Sequence, residues 1–189
     1  MQYKMTKAVF LDRDGTINED VGDLYLPEQL KFIPGAIKAL KMLQERFLLF
    51  IVTNQSGIGR EAFSETQFLA FDEYFLGLMR EQGILIQNTY FCPHVKEQSC
   101  VCKKPSIHFI RIAQQYYDID LTRSFVVGDH PHDIEMAHNA EIKSIYLLTG
   151  HGEKHRKNLK VNADFIAKDL YQASTWIIEK DGMKNYAAS

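Results

Sequence analysis

The run Val9-Phe10-Leu11-Asp12-Arg13-Asp14-Gly15-Thr16 is the most informative stretch of this chain, because an apolar segment ends abruptly in two carboxylates that are separated by one residue. Such a run predicts a buried strand that delivers both acids to its carboxyl end. Two carboxylates this close repel each other and raise each other's pKa unless a cation lies between them. The stretch therefore indicates a Mg²⁺ site in which Asp12 binds the metal and attacks, while Asp14 handles a proton.

Further apolar runs of strand length alternate with segments of helical spacing. The strand-like runs lie at residues 8–11, 48–52, 89–91, 124–127 and 144–148, and a weaker sixth at 163–167 predicts an edge strand. Near-continuous apolar runs are typical of parallel strands covered on both faces. We therefore predict one α/β domain over residues 1–189, with a core of about residues 6–180. Its three α/β/α layers enclose a mostly parallel sheet with right-handed crossovers.

Length, charge and hydropathy restrict the class of protein. At 189 residues the chain is long enough for one well-buried domain. Its formal net charge of −2 argues against a general nucleic-acid binder. No apolar stretch reaches roughly eighteen residues, and residues 1–4 carry no apolar signal region. We expect a cytoplasmic monomer with no membrane or nucleic-acid partner.

Polar side chains collect where the predicted strands end, and such ends share one edge of a parallel sheet. The second strand leads into Thr53, Asn54, Gln55 and Ser56, the third reaches Lys103 and Lys104 through a cysteine-containing loop, and the fourth gives Asp129, with Asp133 four residues later. This combination suits phosphoryl transfer, which needs an in-line nucleophile, a cation for the equatorial oxygens and fixed donors for the rest.

Each of these residues has a predicted role. Asp12 is the nucleophile that forms an aspartyl-phosphate, and Asp14 protonates the leaving alcohol and later deprotonates water. Asp12, the backbone carbonyl of Asp14, and Asp129 supply oxygen ligands for Mg²⁺. Thr53 holds phosphoryl oxygens, and Lys104 is a point charge against the developing negative charge.

The remaining polar residues support these groups. We assign Asn54, Gln55, Ser56 and Lys103 to substrate binding, and we assign Asp133 to the support of Lys104 or of metal-bound waters. Direct ligation of the metal by Asp133 is the alternative. Taken singly, an acid at a strand end is often a helix cap and a lysine is often solvated surface. The order of all these residues along the chain makes a purely structural explanation improbable.

Three cysteines and a histidine lie close together between the second and fourth strand ends. Cys92-Pro93-His94 is followed by five residues and then by Cys100-Val101-Cys102. Three thiolates and one imidazole make the ligand set of a closed, structural tetrahedral Zn²⁺ site. The alternative is three free buried thiols. Because the loop runs into Lys103 and Lys104, we expect zinc to act indirectly, by fixing the catalytic lysine.

The chain resembles the haloacid dehalogenase superfamily of phosphatases, which has four sequence motifs. The corresponding residues here, in the same order and at the same strand ends, are 12–16, Thr53, Lys104, and Asp129 with Asp133. The resemblance spans about residues 6–150. It implies the Rossmann-like three-layer fold of that superfamily and the aspartyl-phosphate mechanism. Larger members carry a cap domain inserted between motifs. Here the intervals between residues 15 and 34 and between 53 and 64 are too short for one, so we predict an open site.

With the zinc loop included, the chain resembles the D-glycero-D-manno-heptose-1,7-bisphosphate 7-phosphatases, and the histidinol-phosphate phosphatases are the alternative. Residues 52–60 resemble the heptose enzymes, which act on the pathway to lipopolysaccharide heptose, whereas the five-residue gap after His94 resembles the histidinol group. Two positions depart from the family pattern: Lys103 stands where Arg is frequent, and His130 where Lys is common. A nucleic-acid 3′-phosphatase and a zinc-stabilised binding module that has lost catalysis are weaker alternatives.

The segment 151–160 is locally basic, with Lys154, Arg156 and Lys157 near its middle. It is either a solvated loop or a site for the second phosphate of a bisphosphate. We assign catalysis to none of the nearby histidines His130, His132 and His138.

Overall fold

The structure is a computed structural model that describes the backbone of residues 6–186 and the side chains of residues 6–182. The expectation for residues 1–4 and both ends of the predicted 1–189 domain lie outside the described residues. No helix of the described part is long and apolar enough to span a membrane.

The sheet has six strands, all parallel. They are β1 (Ala8–Leu11), β2 (Leu48–Asn54), β3 (Ile86–Cys92), β4 (Phe125–Gly128), β5 (Lys143–Leu147) and β6 (Phe165–Ala167). Their order in space is β3-β2-β1-β4-β5-β6. All six predicted strands are confirmed, including β6 at an edge.

Strand β3 is longer than the apolar run at residues 89–91 predicted. Its first residues include Gln87 and Asn88, and Asn88 is exposed. Because β3 is an edge strand, one of its sides meets solvent, and polar side chains there interrupt the apolar pattern without interrupting the strand.

Helices cover both faces of the sheet. They are α1 (Ala36–Gln44), α2 (Ser56–Gly59), α3 (Glu65–Glu81), α4 (His108–Tyr117), α5 (Pro131–Asn139), α6 (Gly152–His155) and α7 (Leu170–Tyr186). One buried cluster joins α1, α3 and α7 to the sheet, and a second joins α4 and α5 to its other face. The predicted three-layer α/β/α fold is therefore confirmed.

Local sequence signals set several helix boundaries. Helix α3 begins after a capping box in which Ser64 accepts from the backbone N–H of Gln67 and the Gln67 side chain accepts from the backbone N–H of Ser64.

In α7, Trp176 stacks on Phe165 of β6 with ring centres 5.1 Å apart, and Ile177 is fully buried. The C-terminal helix therefore packs on the core.

The carboxyl ends of β1, β2 and β4, the central strands, meet at one edge of the sheet. Between β1 and α1 the chain forms only a single 3-10 turn, at Pro27–Gln29, and between β2 and α3 only the one-turn α2. Neither interval holds a folded cap domain, so the edge of the sheet that bears the polar residues stays open.

Candidate active site

Lys104 lies at the centre of the candidate site and is almost fully buried. Its Nζ donates to Asp12 Oδ1 at 2.8 Å, to Asp133 Oδ1 at 2.6 Å and to the backbone carbonyl of Val52 at 2.9 Å. Burial alone lowers the pKa of Lys104, but the two carboxylates outweigh it and raise that pKa above its ordinary value. The lysine is therefore a fixed cation between the ends of β1, β2 and α5.

Three carboxylates converge beside this lysine. Oxygen atoms of Asp12, Asp129 and Asp133 lie within 4.8 Å of one another. Burial raises the pKa of Asp12 to about 7, with Asp133 adding to the rise and Lys104 opposing it. Burial raises the pKa of Asp129 to about 8, and Asp12 and Asp133 add to it. Because hard divalent cations prefer carboxylate oxygens, the donor set fits such an ion.

The carboxylate of Asp129 lies against Gly15, in the turn after β1, where there is no room for a side chain. Gly15 has a φ of +81°, and a Cβ there would lie 2.3 Å from Asp129 Oδ2. The same oxygen accepts from the backbone N–H of His151 at 2.7 Å. The turn after β1 therefore fixes the position of the Asp129 carboxylate.

Asp14 lies outside the group of three carboxylates. Its Oδ1 accepts from Arg13 Nε at 3.2 Å and from Asn18 Nδ2 at 2.9 Å. Its Oδ2 accepts from Arg13 Nη2 at 3.0 Å and from Gln55 Nε2 at 2.9 Å. Burial opposes ionisation of Asp14, but the Arg13 charge and these hydrogen bonds lower its pKa below the ordinary value. The environments of Asp12 and Asp14 therefore shift their pKa values in opposite directions.

A pocket of about 280 Å³ opens over these groups. Its lining comprises Asp12, Asp14, Thr53, Asn54, Ser56, Lys103, Lys104, His130 and His132. A second pocket of about 240 Å³ adjoins it, shares Asp14, Asn54 and Ser56, and adds Asp20, Asp23, Arg60 and His151. Asp14 therefore lies between two halves of one cleft.

Residues at the carboxyl end of β2 and directly after it connect the parts of the site. Gln55 Nε2 donates to Thr53 Oγ1 at 2.9 Å as well as to Asp14. Asn54 Oδ1 accepts from the backbone N–H of Lys104 at 3.0 Å. Ser56 Oγ donates to the backbone carbonyl of His94 at 3.0 Å and accepts from Lys103 Nζ. The substrate-binding residues predicted from the sequence thus lie at the pocket and also brace one another.

The four predicted zinc ligands of the cysteine loop, residues 92–102, form a single cluster. Ligand atoms of Cys92, His94, Cys100 and Cys102 lie within 4.8 Å of one another. His94 Nδ1 is 3.5 Å from Cys92 Sγ and 3.4 Å from Cys102 Sγ. All three thiols are free of disulfide bonds. The donor set and its compactness fit a closed tetrahedral metal site.

The nearby histidines and the basic segment occupy different positions. His130 lines the pocket, caps α5 and has a pKa that burial lowers to about 4, whereas His138 is exposed. Lys154, Arg156 and Lys157 are exposed, and neither of the two cleft pockets has them in its lining.

Sequence reasoning missed Arg13 and Asn18 as partners of Asp14. Both are fully buried. The apolar run up to Leu11 indicates a buried strand, so the side chains that follow it are expected to be enclosed as well. An arginine at such a position needs a buried acidic partner, and this was the signal that could have identified Arg13. The contact of Gln55 with Asp14 had no signal in the sequence, because it joins residues 41 positions apart.

Replacing Gly15 by alanine should destabilise the protein more than the same change at Gly22. Both glycines have positive φ, but nothing lies within 4 Å of a Cβ at Gly22. We expect Gly22→Ala to cost about 1–2 kcal/mol through backbone strain alone. Gly15→Ala also displaces Asp129 and should cost about 2 kcal/mol more. The free energy of unfolding in urea measures both; equal values for the two variants would contradict the close approach.

The family described as HAD-hydrolase-like matches residues 101–173. The D-glycero-beta-D-manno-heptose-1,7-bisphosphate 7-phosphatase of Pasteurella multocida (strain Pm70) is 38% identical over 173 residues, covering 88% of this chain and 94% of the relative. The D-glycero-alpha-D-manno-heptose-1,7-bisphosphate 7-phosphatase of Campylobacter jejuni subsp. jejuni serotype O:2 is 36% identical, covering 87% and 99%.

A solved structure agrees with these relatives. The D,D-heptose 1,7-bisphosphate phosphatase from B. bronchiseptica, crystallised with magnesium and phosphate, superposes with a TM-score of 0.85 at 26% identity, covering 93% of this chain and 99% of that one. The fold, the order of the polar strand ends and the relatives agree. The chain therefore belongs to the haloacid-dehalogenase-like phosphatases, in the family of the heptose-1,7-bisphosphate 7-phosphatases.

Proposed function

We propose that this protein hydrolyses the 7-phosphate of D-glycero-D-manno-heptose 1,7-bisphosphate through an aspartyl-phosphate. The observation that carries the chemistry is the pairing of Asp12, held by buried Lys104, with Asp14, held by Arg13, across one open pocket. The substrate is supported by relatives of both anomeric classes at 36–41% identity.

In the first step an Asp12 carboxylate oxygen bonds to phosphorus, and the bond from phosphorus to the sugar oxygen breaks. Asp14 gives a proton to that oxygen, so the alcohol leaves neutral. Because Arg13 and the hydrogen bonds to Asp14 lower its pKa in the free site, only the fraction of the enzyme with Asp14 protonated carries out this step. In the second step a water oxygen bonds to phosphorus and passes a proton to Asp14. The acyl-phosphate bond breaks, which releases phosphate and restores the Asp12 carboxylate.

Lys104 contacts the reacting carboxylate directly, and its buried charge opposes the negative charge that develops on the phosphoryl oxygens. Thr53 is buried at the pocket, and its hydroxyl oxygen accepts from Gln55, which leaves the hydroxyl hydrogen free to donate to a phosphoryl oxygen. Ser56 and Lys103 both donate to the backbone carbonyl of His94, and the Lys103 ammonium has a further hydrogen that can donate to substrate at the outer wall.

We propose Mg²⁺ as the divalent cation, held by Asp12, Asp129 and the backbone carbonyl of Asp14, with Asp133 orienting Lys104. When bound, it supplies positive charge to the phosphoryl oxygens. We propose Zn²⁺ for the cysteine loop, in a structural role: its four ligands leave no open position for substrate.

Histidinol-phosphate phosphatase is the second candidate. Besides the short gap between His94 and Cys100, the second half of the cleft carries Asp20 and Asp23, which suit a cationic leaving group. Arg60 pairs with Asp23 at 2.7 Å, however, and leaves less negative charge free in that half.

Substrate comparison separates the two candidates. We expect kcat/KM for one anomer of the heptose bisphosphate to exceed that for histidinol phosphate by about tenfold or more, since about 1.4 kcal/mol of differential transition-state binding suffices. Asp12→Asn is the control, and it should lose turnover on both substrates while its circular dichroism spectrum is unchanged. Equal or higher kcat/KM for histidinol phosphate would reverse the assignment.

Zinc removal tests the cysteine loop. Protein purified without chelator should carry about one zinc per chain, and stripping it should lower activity and loosen residues 92–104 without abolishing Mg²⁺ dependence. Cys100→Ser should reproduce this effect. Val101→Ala, at an exposed position of the same loop, should not. Stoichiometric zinc that is absent from protein prepared in this way would count against the site.

A further inference from the structure

Arg13 stands between the two motif acids and is fully buried. A guanidinium that is enclosed in a protein loses its hydration, which costs several kcal/mol unless its partners compensate. Arginine is always charged at physiological pH, so the chain maintains this charge permanently inside the fold. The partners of Arg13 show what the charge does there.

On one side the Arg13 guanidinium forms a bidentate ion pair with the Asp14 carboxylate. Nε donates to Oδ1 at 3.2 Å and Nη2 donates to Oδ2 at 3.0 Å. A two-point contact between a planar fork and a carboxylate fixes the carboxylate's orientation as well as its position. A lysine at the same place offers a point charge with no such constraint.

On the other side helix α3 holds the guanidinium. The Cζ atom of Arg13 lies 5.3 Å from the ring centre of Phe68 and 5.0 Å from that of Phe71, both buried residues of α3. The charge of Arg13 also acts on buried Asp72 of the same helix: burial raises the pKa of Asp72, and Arg13 opposes that rise. Arg13 therefore has little freedom to turn away from Asp14.

Four donors occupy the Asp14 carboxylate, and an ionised carboxylate offers about four lone-pair sites. Two come from Arg13, one from fully buried Asn18 and one from Gln55. Gln55 lines the cleft, whereas neither Arg13 nor Asn18 does. The place that Gln55 holds on Oδ2 is therefore the one that a substrate oxygen can take.

We propose that Arg13 is a positioning residue for proton transfer: anchored by α3, it holds Asp14 so that the oxygen bonded to Gln55 is the one that exchanges a proton with the leaving group. The inference rests on the proposed function, because it assigns the proton transfer to Asp14. It predicts that a change of Arg13 lowers kcat/KM most for substrates whose leaving oxygen must be protonated.

Arg13→Lys tests this with two substrates. The sugar oxygen of the heptose bisphosphate needs a proton to leave, whereas 4-nitrophenyl phosphate releases a stable anion without one. Because kcat/KM includes only steps up to leaving-group departure, we expect it to fall about tenfold or more for the sugar phosphate, within the range typical of general-acid catalysis, and less than about threefold for the aryl phosphate. Arg80→Lys, the same exchange at a half-exposed side chain near the end of α3, should change neither.

A second variant covers the case in which Arg13→Lys fails to fold. Phe71→Leu removes one ring against the guanidinium, so Arg13 is held less firmly, while Asp14, Arg13, Asn18 and Gln55 are themselves unchanged. It should show the same preferential loss on the sugar phosphate, at smaller amplitude. Equal losses on both substrates, in whichever variant folds, would overturn the inference and leave the proposed function standing. A wild-type protein that hydrolyses neither substrate would overturn the proposed function and this inference with it.

Discussion

An imbalance of buried charge at the end of the sheet constrains the rest of the structure. Three carboxylates lie within 4.8 Å of one another, and Lys104 is the one cation that the described residues place among them. Two unit charges 4 Å apart interact by about 4 kcal/mol at an effective dielectric constant of about 20. If all three acids are ionised, two negative charges remain after Lys104 is counted, which is the charge that the proposed divalent cation neutralises.

The fold secures Lys104 from two directions. Asn54, at the end of β2, accepts from its backbone N–H, and Asp133, in the first turn of α5, accepts from its ammonium group. The cysteine loop leads directly into Lys104, and Lys103 donates to the carbonyl of His94 inside that loop. The proposed metal of this loop would therefore stabilise the position of Lys104, which lies two residues after the proposed ligand Cys102.

The features that depend on local sequence pattern, namely the strands and the grouping of their polar ends, could be predicted from the sequence. Apolar runs gave the strands, and because parallel strands end at one edge, Asp12, Thr53 and Asp129 could be placed together before any coordinates. The pattern could not show that Arg13 turns into α3 or that Gln55 reaches Asp14. Those contacts depend on how α3 packs against the sheet, and residues far apart in sequence set that packing. The polar beginning of β3 departs from the pattern for a different reason, because polar side chains on an edge strand interrupt the apolar run without ending the strand.

A crystal structure with Mg²⁺ and a phosphate mimic such as vanadate or fluoroaluminate would show directly whether Asp12 is the nucleophile at a cation site. We expect a cation bound by Asp12 and Asp129, an Asp12 oxygen in line with the central atom of the mimic, and Lys104 still in contact with that carboxylate. A cation bound elsewhere, or an Asp12 side chain turned away from the mimic, would contradict this expectation.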